Sequence, residues 1–143
     1  NRGACHLNGH SASSQNSTAL IDSTGLCLFA RGGYKKDSVA HILEVITRRG
    51  WLPKDYQLAG ERVFNLEKCL NYREGFRRID DRVADRFFEE PLTVGPKKGA
   101  VLDRKEFDEL MDGYYGERGW DRQTTRPSDQ TLKKLDLDSC ITF

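Results

Sequence analysis

The sequence predicts an all-α fold, and three observations carry that reading. Apolar residues recur at helical spacing in several segments, start and stop residues bracket those segments, and no stretch sustains the alternation of a strand. Two zones are visible. Residues 1 to about 35 are rich in Gly, Ser and Asn and hold most of the histidine and cysteine, whereas the remainder is periodic and strongly charged. The expected architecture is an irregular N-terminal segment, residues 1–35, followed by a multihelical domain, residues 36–143.

Asp37-Ser38 can cap a helix that runs to about Arg49, with Val39, Ile42, Leu43 and Ile46 at helical spacing and Gly50 as its stop. Pro53 suits the first turn of a longer helix through about Tyr72. Its apolar stripe is Ala59, Val63, Leu66 and Leu70, and Gly75 ends it. Phe76–Gly99 reads as an ordered loop with one helical turn around Asp81–Phe88, long enough to suggest an interface or functional role. Asp103 and Glu106 have capping-box spacing ahead of Phe107, Leu110, Met111 and Tyr114, in a helix expected to end near Gly116. Pro127-Ser128 opens a last short helix through about Leu135.

The totals narrow the function classes. A chain of 143 residues can bury one core, but its mean hydropathy of -0.68 and 31% charged residues are polar for a self-sufficient globule. Part of its packing surface is therefore expected to lie against the rest of a larger protein. The start at Asn1, inside a Gly- and Cys-containing motif, is read as that of an excerpt. A formal net charge of +1 gives no footprint for nucleic acid or an anionic membrane, and no apolar run reaches transmembrane length. Cysteines at positions 5, 27, 69 and 140 include no CxxC pair, so no self-contained zinc or iron–sulfur motif is present. Reduced cysteines in a cytoplasmic protein are the expectation.

Several residues could carry chemistry. Asp22-Ser-Thr-Gly-Leu-Cys27 reads either as a capped turn before a buried cysteine or as an anion-accepting turn. In the second reading glycine admits a ligand to the backbone, Asp accepts hydrogen bonds from a polar ring, and a thiolate meets a metal. Cys5, His6 and His10 would need helical geometry to share a metal, which Asn8 and Gly9 oppose. His41 falls within a helix pattern and is read as structural or exposed. Arg73, Arg77, Arg78, Asp80, Asp81, Arg82 and Arg86 form either a salt-bridged solvent face or a docking surface. Cys69 reads as packing, and Cys140 has no evident role.

Taken in order, these strings resemble the tungsten-containing aldehyde:ferredoxin oxidoreductases over nearly the whole chain. Asn1-Arg-Gly-Ala-Cys-His-Leu7 is similar to the segment that brings a histidine to the metal centre, and Asp22–Cys27 to the family's second Asp-x-x-Gly-Leu-Cys motif. Gly60-Glu-Arg-Val-Phe-Asn-Leu-Glu-Lys68 and Asn71-Tyr-Arg-Glu-Gly-Phe76 follow the family's order. So do Asp80-Asp81, Arg86-Phe-Phe-Glu-Glu-Pro-Leu92, Gly95-Pro96 and Tyr114-Tyr-Gly-Glu-Arg-Gly-Trp-Asp121.

The resemblance implies a C-terminal region of an enzyme that converts aldehydes to carboxylates at a tungsten (or molybdenum) bis-pyranopterin. Electrons would leave through a [4Fe–4S] cluster to ferredoxin or a partner subunit. It makes residues 1–35 the cofactor-facing segment, Cys27 one cluster ligand, Asp22, Gly25 and Leu26 contacts of one pterin, and His6 an acid/base beside the metal. The other three cluster cysteines would lie in the N-terminal part of the same enzyme, an oligomer is compatible, and the chain alone is expected to be inactive. Two departures stand out: the stretch from His6 to Asp22 is shorter than the family's, and Leu28 replaces a more typical basic residue. The first bears on His6 more than on Cys27. The Asn1–Asn8 string fits the tungsten subunit of a benzoyl-CoA reductase of the same superfamily about as well, and a cofactor-free helical interaction module is the reading from another class.

Overall fold

The computed structural model describes residues 10–33 and 36–142. Six α-helices account for most of them, and the only strand-like pairing among the described residues is a single antiparallel bridge between Trp120 and Pro127. In chain order they are α1 (His10–Ser23), α2 (Lys36–Thr47), α3 (Pro53–Arg73), α4 (Arg86–Glu89), α5 (Arg104–Arg118) and α6 (Asp129–Lys134). Short 3-10 turns occupy Leu28–Gly32, Arg78–Asp80 and Asp138–Cys140. The all-α class holds.

Local chemistry sets most of the boundaries. Pro53 opens α3, and the Asp55 carboxylate accepts the Leu52 amide at 2.9 Å. Asp103 Oδ1 accepts the Glu106 amide at 2.8 Å at the start of α5, and Ser128 Oγ accepts that of Thr131 at 3.2 Å at the start of α6. α5 runs past Gly116 to Arg118 and stops at Gly119, whose left-handed backbone (φ 67°) closes the helix. That half-turn beyond the expected end carries Arg118 onto the buried face.

α3 is the spine, with three small clusters strung along it. Near its start Tyr56 packs with Leu20 of α1 and Val39 of α2. At its middle Phe64 lies against Tyr114, Tyr115 and Trp120, and towards its end Cys69 meets Leu132 and Cys140. The buried line of α3 is Tyr56, Gly60, Asn65, Lys68 and Cys69, which differs from the expected apolar stripe. Ala59 and Val63 are half-buried, while Leu66 and Leu70 are exposed. The reason is partnership: Asn65 Oδ1 accepts Trp120 Nε1–H at 2.8 Å, and Lys68 Nζ reaches Asp81 at 2.8 Å beneath the Trp120 ring. Polar side chains so satisfied can be buried where an unpaired one could not.

α1 is the main departure, since residues 1–35 were expected to be irregular. Its sequence is poor in strong helix formers, and polar tertiary contacts offset that deficit. Ser17 and Ser13 pair with the Gln57 amide of α3 at 2.9 and 3.3 Å. Arg118, almost wholly buried, donates to Asn16 Oδ1 at 2.6 Å, Gln15 Oε1 at 2.5 Å and the Ala12 carbonyl at 3.3 Å. Its guanidinium also lies over Phe64, Tyr114 and Trp120. Gly60 permits the close approach of α3, because a Cβ there would sit 1.8 Å from the Asn16 carbonyl oxygen.

Two outcomes follow for unfolding of the protein by denaturant. Gly60→Ala forces backbone apart and should cost at least about 2 kcal/mol, whereas Gly113→Ala, with open space around it, should be neutral or gain up to about 1 kcal/mol. Arg118→Lys leaves one ammonium to serve the acceptors of a forked guanidinium, and should lose roughly 2–3 kcal/mol through the unpaired Gln15, Asn16 and Tyr114 groups. Equal midpoints for wild type and either destabilising variant would contradict this packing.

Candidate functional site

The turn Asp22–Cys27 is where α1 ends. Ser23 Oγ donates back to the Ala19 carbonyl at 2.7 Å, and Thr24 Oγ1 to that of Ile21 at 2.6 Å, which finishes the helix locally. Gly25 then takes φ 75°, a left-handed backbone that reverses the chain. Leu26 turns inward against the Leu20–Val39–Tyr56 cluster and pins the turn to the body. Cys27 emerges exposed at the start of the 3-10 turn Leu28–Gly32, next to a Phe29 ring that is 99% exposed.

The turn's hydrogen bonds decide its polarity. The Thr24 amide donates to the Leu20 and Ile21 carbonyls, the Gly25 amide to that of Asp22, and the Leu26 amide to Thr24 Oγ1. All three amides are thus engaged. The turn also sits at the C-terminal, partially negative end of α1. An anion would find no free donors among residues 24–26, which removes the anion-accepting reading of the backbone. What the turn offers outward is an acceptor, the exposed Asp22 carboxylate, and the Cys27 thiol. Asp22 and Ser23 also line one wall of an open groove between α1 and α3, with Val63, Phe64 and Glu67 opposite.

The remaining sequence-derived positions distribute as follows. Cys5 and His6 lie outside the described residues, and His10 opens α1. His41 is exposed on α2. No group of three or more His, Cys, Asp or Glu among the described residues could hold a metal ion by itself, and no described helix is long and apolar enough to cross a membrane. Most of the arginine–aspartate set is engaged within the chain. Arg78 pairs with Asp108 and Asp112, Arg77 stacks on Tyr72 and donates to its carbonyl, and Asp80 accepts the Arg77 amide. Asp81 reaches inward to Lys68 and to the Tyr115 hydroxyl at 3.0 Å.

Sequence reading missed two features. One is the buried Arg118, whose only sequence signal was its place before Gly119-Trp120. The other is that Cys69 and Cys140 come together: both are 2% exposed and pack in one cluster with Leu132.

Comparison with known proteins agrees with this picture. The family described as aldehyde ferredoxin oxidoreductase, domains 2 and 3, matches residues 1–137. This chain belongs to that family. The tungsten-containing aldehyde ferredoxin oxidoreductase of Pyrococcus abyssi (strain GE5 / Orsay) is 36% identical over 128 residues, covering 89% of this chain and 20% of that protein. Its counterpart in Pyrococcus furiosus is 36% identical over 124 residues, 86% of this chain and again 20% of the relative. The aldehyde ferredoxin oxidoreductase match thus spans about a fifth of the length of these relatives.

Burial tunes several protons of this family member's core. Desolvation, then the Asp81 carboxylate, pushes the Tyr115 hydroxyl above its ordinary 10.0, and desolvation with Cys140 moves the Cys69 thiol from 9.0 to about 12. Unfolded, both groups would ionise at their ordinary values, so the unfolded state loses protons first as pH rises. Their stabilising contribution is complete below about pH 9 and shrinks as pH climbs towards 12. The unfolding midpoint should therefore be level from neutral pH to about 8.5 and fall above about 9, more shallowly in Tyr115→Phe. A midpoint rising through that window would contradict the assignment.

Proposed function

We propose that the intact protein carrying this chain oxidises aldehydes to carboxylates at a tungsten (or molybdenum) bis-pyranopterin and passes the electrons through a [4Fe–4S] cluster to ferredoxin or a partner subunit. Membership of the family, and relatives whose names include tungsten and aldehyde ferredoxin oxidoreductase, support the reaction class. The observation that carries the site is the pairing of an exposed carboxylate and an exposed thiol within six residues, on a turn fixed by Gly25 and Leu26.

The residues present fit a share of those groups. A cubane takes four thiolates, and Cys27 can give one, so the other three belong to the N-terminal part of the enzyme. Asp22 is an acceptor suited to the N–H edge of a pterin, and its position beside amides that are all engaged favours a ligand that brings donors. When bound, the metal–pterin group accepts the two electrons of an aldehyde oxidation and the cluster passes them on singly. The chain's task is geometric. α1 and the Leu26 anchor hold Asp22 and Cys27 on one short, rigid turn, so pterin and cluster would share a support. Residues 1–35 form the cofactor-facing segment of this proposal, and residues 36–143 the helical body behind it. His6 is assigned the acid/base role beside the metal, for which an imidazole's near-neutral pKa is suited. The chain alone is inactive in this reading, and the enzyme works in the cytoplasm, with oligomer formation compatible.

Anaerobically purified intact protein should contain tungsten or molybdenum together with iron, and should reduce a viologen dye with aldehydes. Absence of all three metals would leave the helical interaction module, and activity confined to aryl-CoA thioesters would favour the benzoyl-CoA reductase reading. Within the site, Cys27→Ala should lose or convert the cubane's electron paramagnetic resonance signal. Asp22→Asn should keep that signal but lower activity or pterin content by about 10- to 100-fold. An unchanged cluster signal in Cys27→Ala would refute the ligand assignment.

A further inference from the structure

α3 and the C-terminal turn each bring one cysteine to the same pocket, and neither has a part in the proposed cofactor site. Cys69 projects from the last third of α3, and Cys140 ends the 3-10 turn Asp138–Cys140. Leu132 of α6, with Leu137 and Ile141, closes around them, and the Arg126 guanidinium is the charge that acts on Cys69 from nearby. Arg126 holds the following residue by donating to the Ile141 carbonyl at 2.7 Å, and Lys134 of α6 reaches Glu61 of α3 at 3.8 Å. The two thiols are therefore delivered to each other by elements fixed independently on both sides.

We propose that Cys69 and Cys140 are a disulfide-forming site, a covalent clasp that can lock the C-terminal segment onto the long helix. Two buried thiols packed in one cluster around Leu132 need little backbone movement to become a bridge. The link would close a loop between residues distant in sequence, which is where a cross-link most restricts the unfolded chain.

The oxidant is a small-molecule disulfide. A cysteine thiolate attacks one of its sulfurs, the reagent's S–S bond breaks, and one reagent thiol leaves. The second cysteine then attacks the mixed disulfide and expels the other reagent thiol. Two protein thiols lose two protons and two electrons, the reagent gains both, and one S–S bond replaces another. Burial sets the speed. Desolvation holds the Cys69 thiol protonated at neutral pH, so exchange requires local opening of the 3-10 turn Asp138–Cys140.

The test uses intact protein purified anaerobically and warmed with excess glutathione disulfide, alkylated, and digested without reductant. The expected product is one peptide pair joining the Cys69 and Cys140 segments, two hydrogens lighter than the sum of its parts and separated by reductant. The oxidised protein should melt about 3 °C higher than the reduced form. Cys140→Ser and Cys69→Ala should each abolish both the linked peptide and the rise. Recovery of the two cysteines as unmodified thiols, or as separate glutathione adducts, would overturn the proposal, as would a linked peptide with no rise in melting temperature. Since the readout is a covalent link and a melting point, it stands or falls apart from the cofactor reading.

Discussion

A guanidinium with no carboxylate partner among the described residues holds this structure together. Arg118 is nearly sealed from solvent, and it donates to the amide oxygens of Gln15 and Asn16, the Ala12 carbonyl and the Tyr114 hydroxyl. Desolvating an ion costs several kcal/mol even after relaxation. An arginine cannot escape that cost by losing its proton. Stability then requires every acceptor to stay in place and the faces of Phe64, Tyr114 and Trp120 to stay over the charge. The register of α1 against α5 follows from this need. A slip of one residue in α1 would turn Gln15 and Asn16 away and leave the buried ion short of acceptors, with the Tyr114 hydroxyl of its own helix remaining.

That constraint reaches the Asp22–Cys27 turn through a rigid element. α1 is gripped near its N-terminal half by Arg118 and along its length by the close crossing at Gly60, and it ends at Asp22–Cys27. The contacts that orient the turn join residues about a hundred positions apart in sequence. Such pairings form late in folding because the intervening chain must first be closed. The far end of this chain therefore decides how a site near its beginning is presented. Asn65 and Lys68 serve the same layer from α3: one holds the Trp120 indole, the other the Asp81 carboxylate that also receives Tyr115.

Much of the helical body was legible in the sequence because its signals are local. Pro53, Asp103 with Glu106, and Ser128 act within one helical turn of themselves, and each acts where expected. α1 escaped because Ser, Asn and Thr disfavour helix when counted residue by residue, and its partners Gln57, Tyr114 and Arg118 are remote. The α3 stripe escaped for a related reason. A periodicity argument treats Asn65 and Lys68 as solvent-facing, and only the positions of Trp120 and Asp81 make their burial favourable. At the turn, the role of Gly25 was readable, while the exposure of Cys27 was left open between a buried cysteine and a ligand thiol. Whether the backbone there gives or takes hydrogen bonds was not, since that depends on which carbonyls the amides of Thr24, Gly25 and Leu26 find.

The resulting polarity carries a physical consequence for what the turn can hold. Asp22 lies in the last turn of α1, near the partially negative end of the helix, and it has no ion pair among the described residues. Nothing in the described fold offsets that placement. A ligand presenting N–H donors or positive charge would offset it on binding, whereas a phosphate would add to it. The same end of α1 exposes Cys27 and Phe29 to the outside of the helical body. An acceptor, a thiol and an uncovered ring on one rigid turn suit a donor-rich, planar, metal-bearing group covered by another part of the protein, and they suit a free anion poorly.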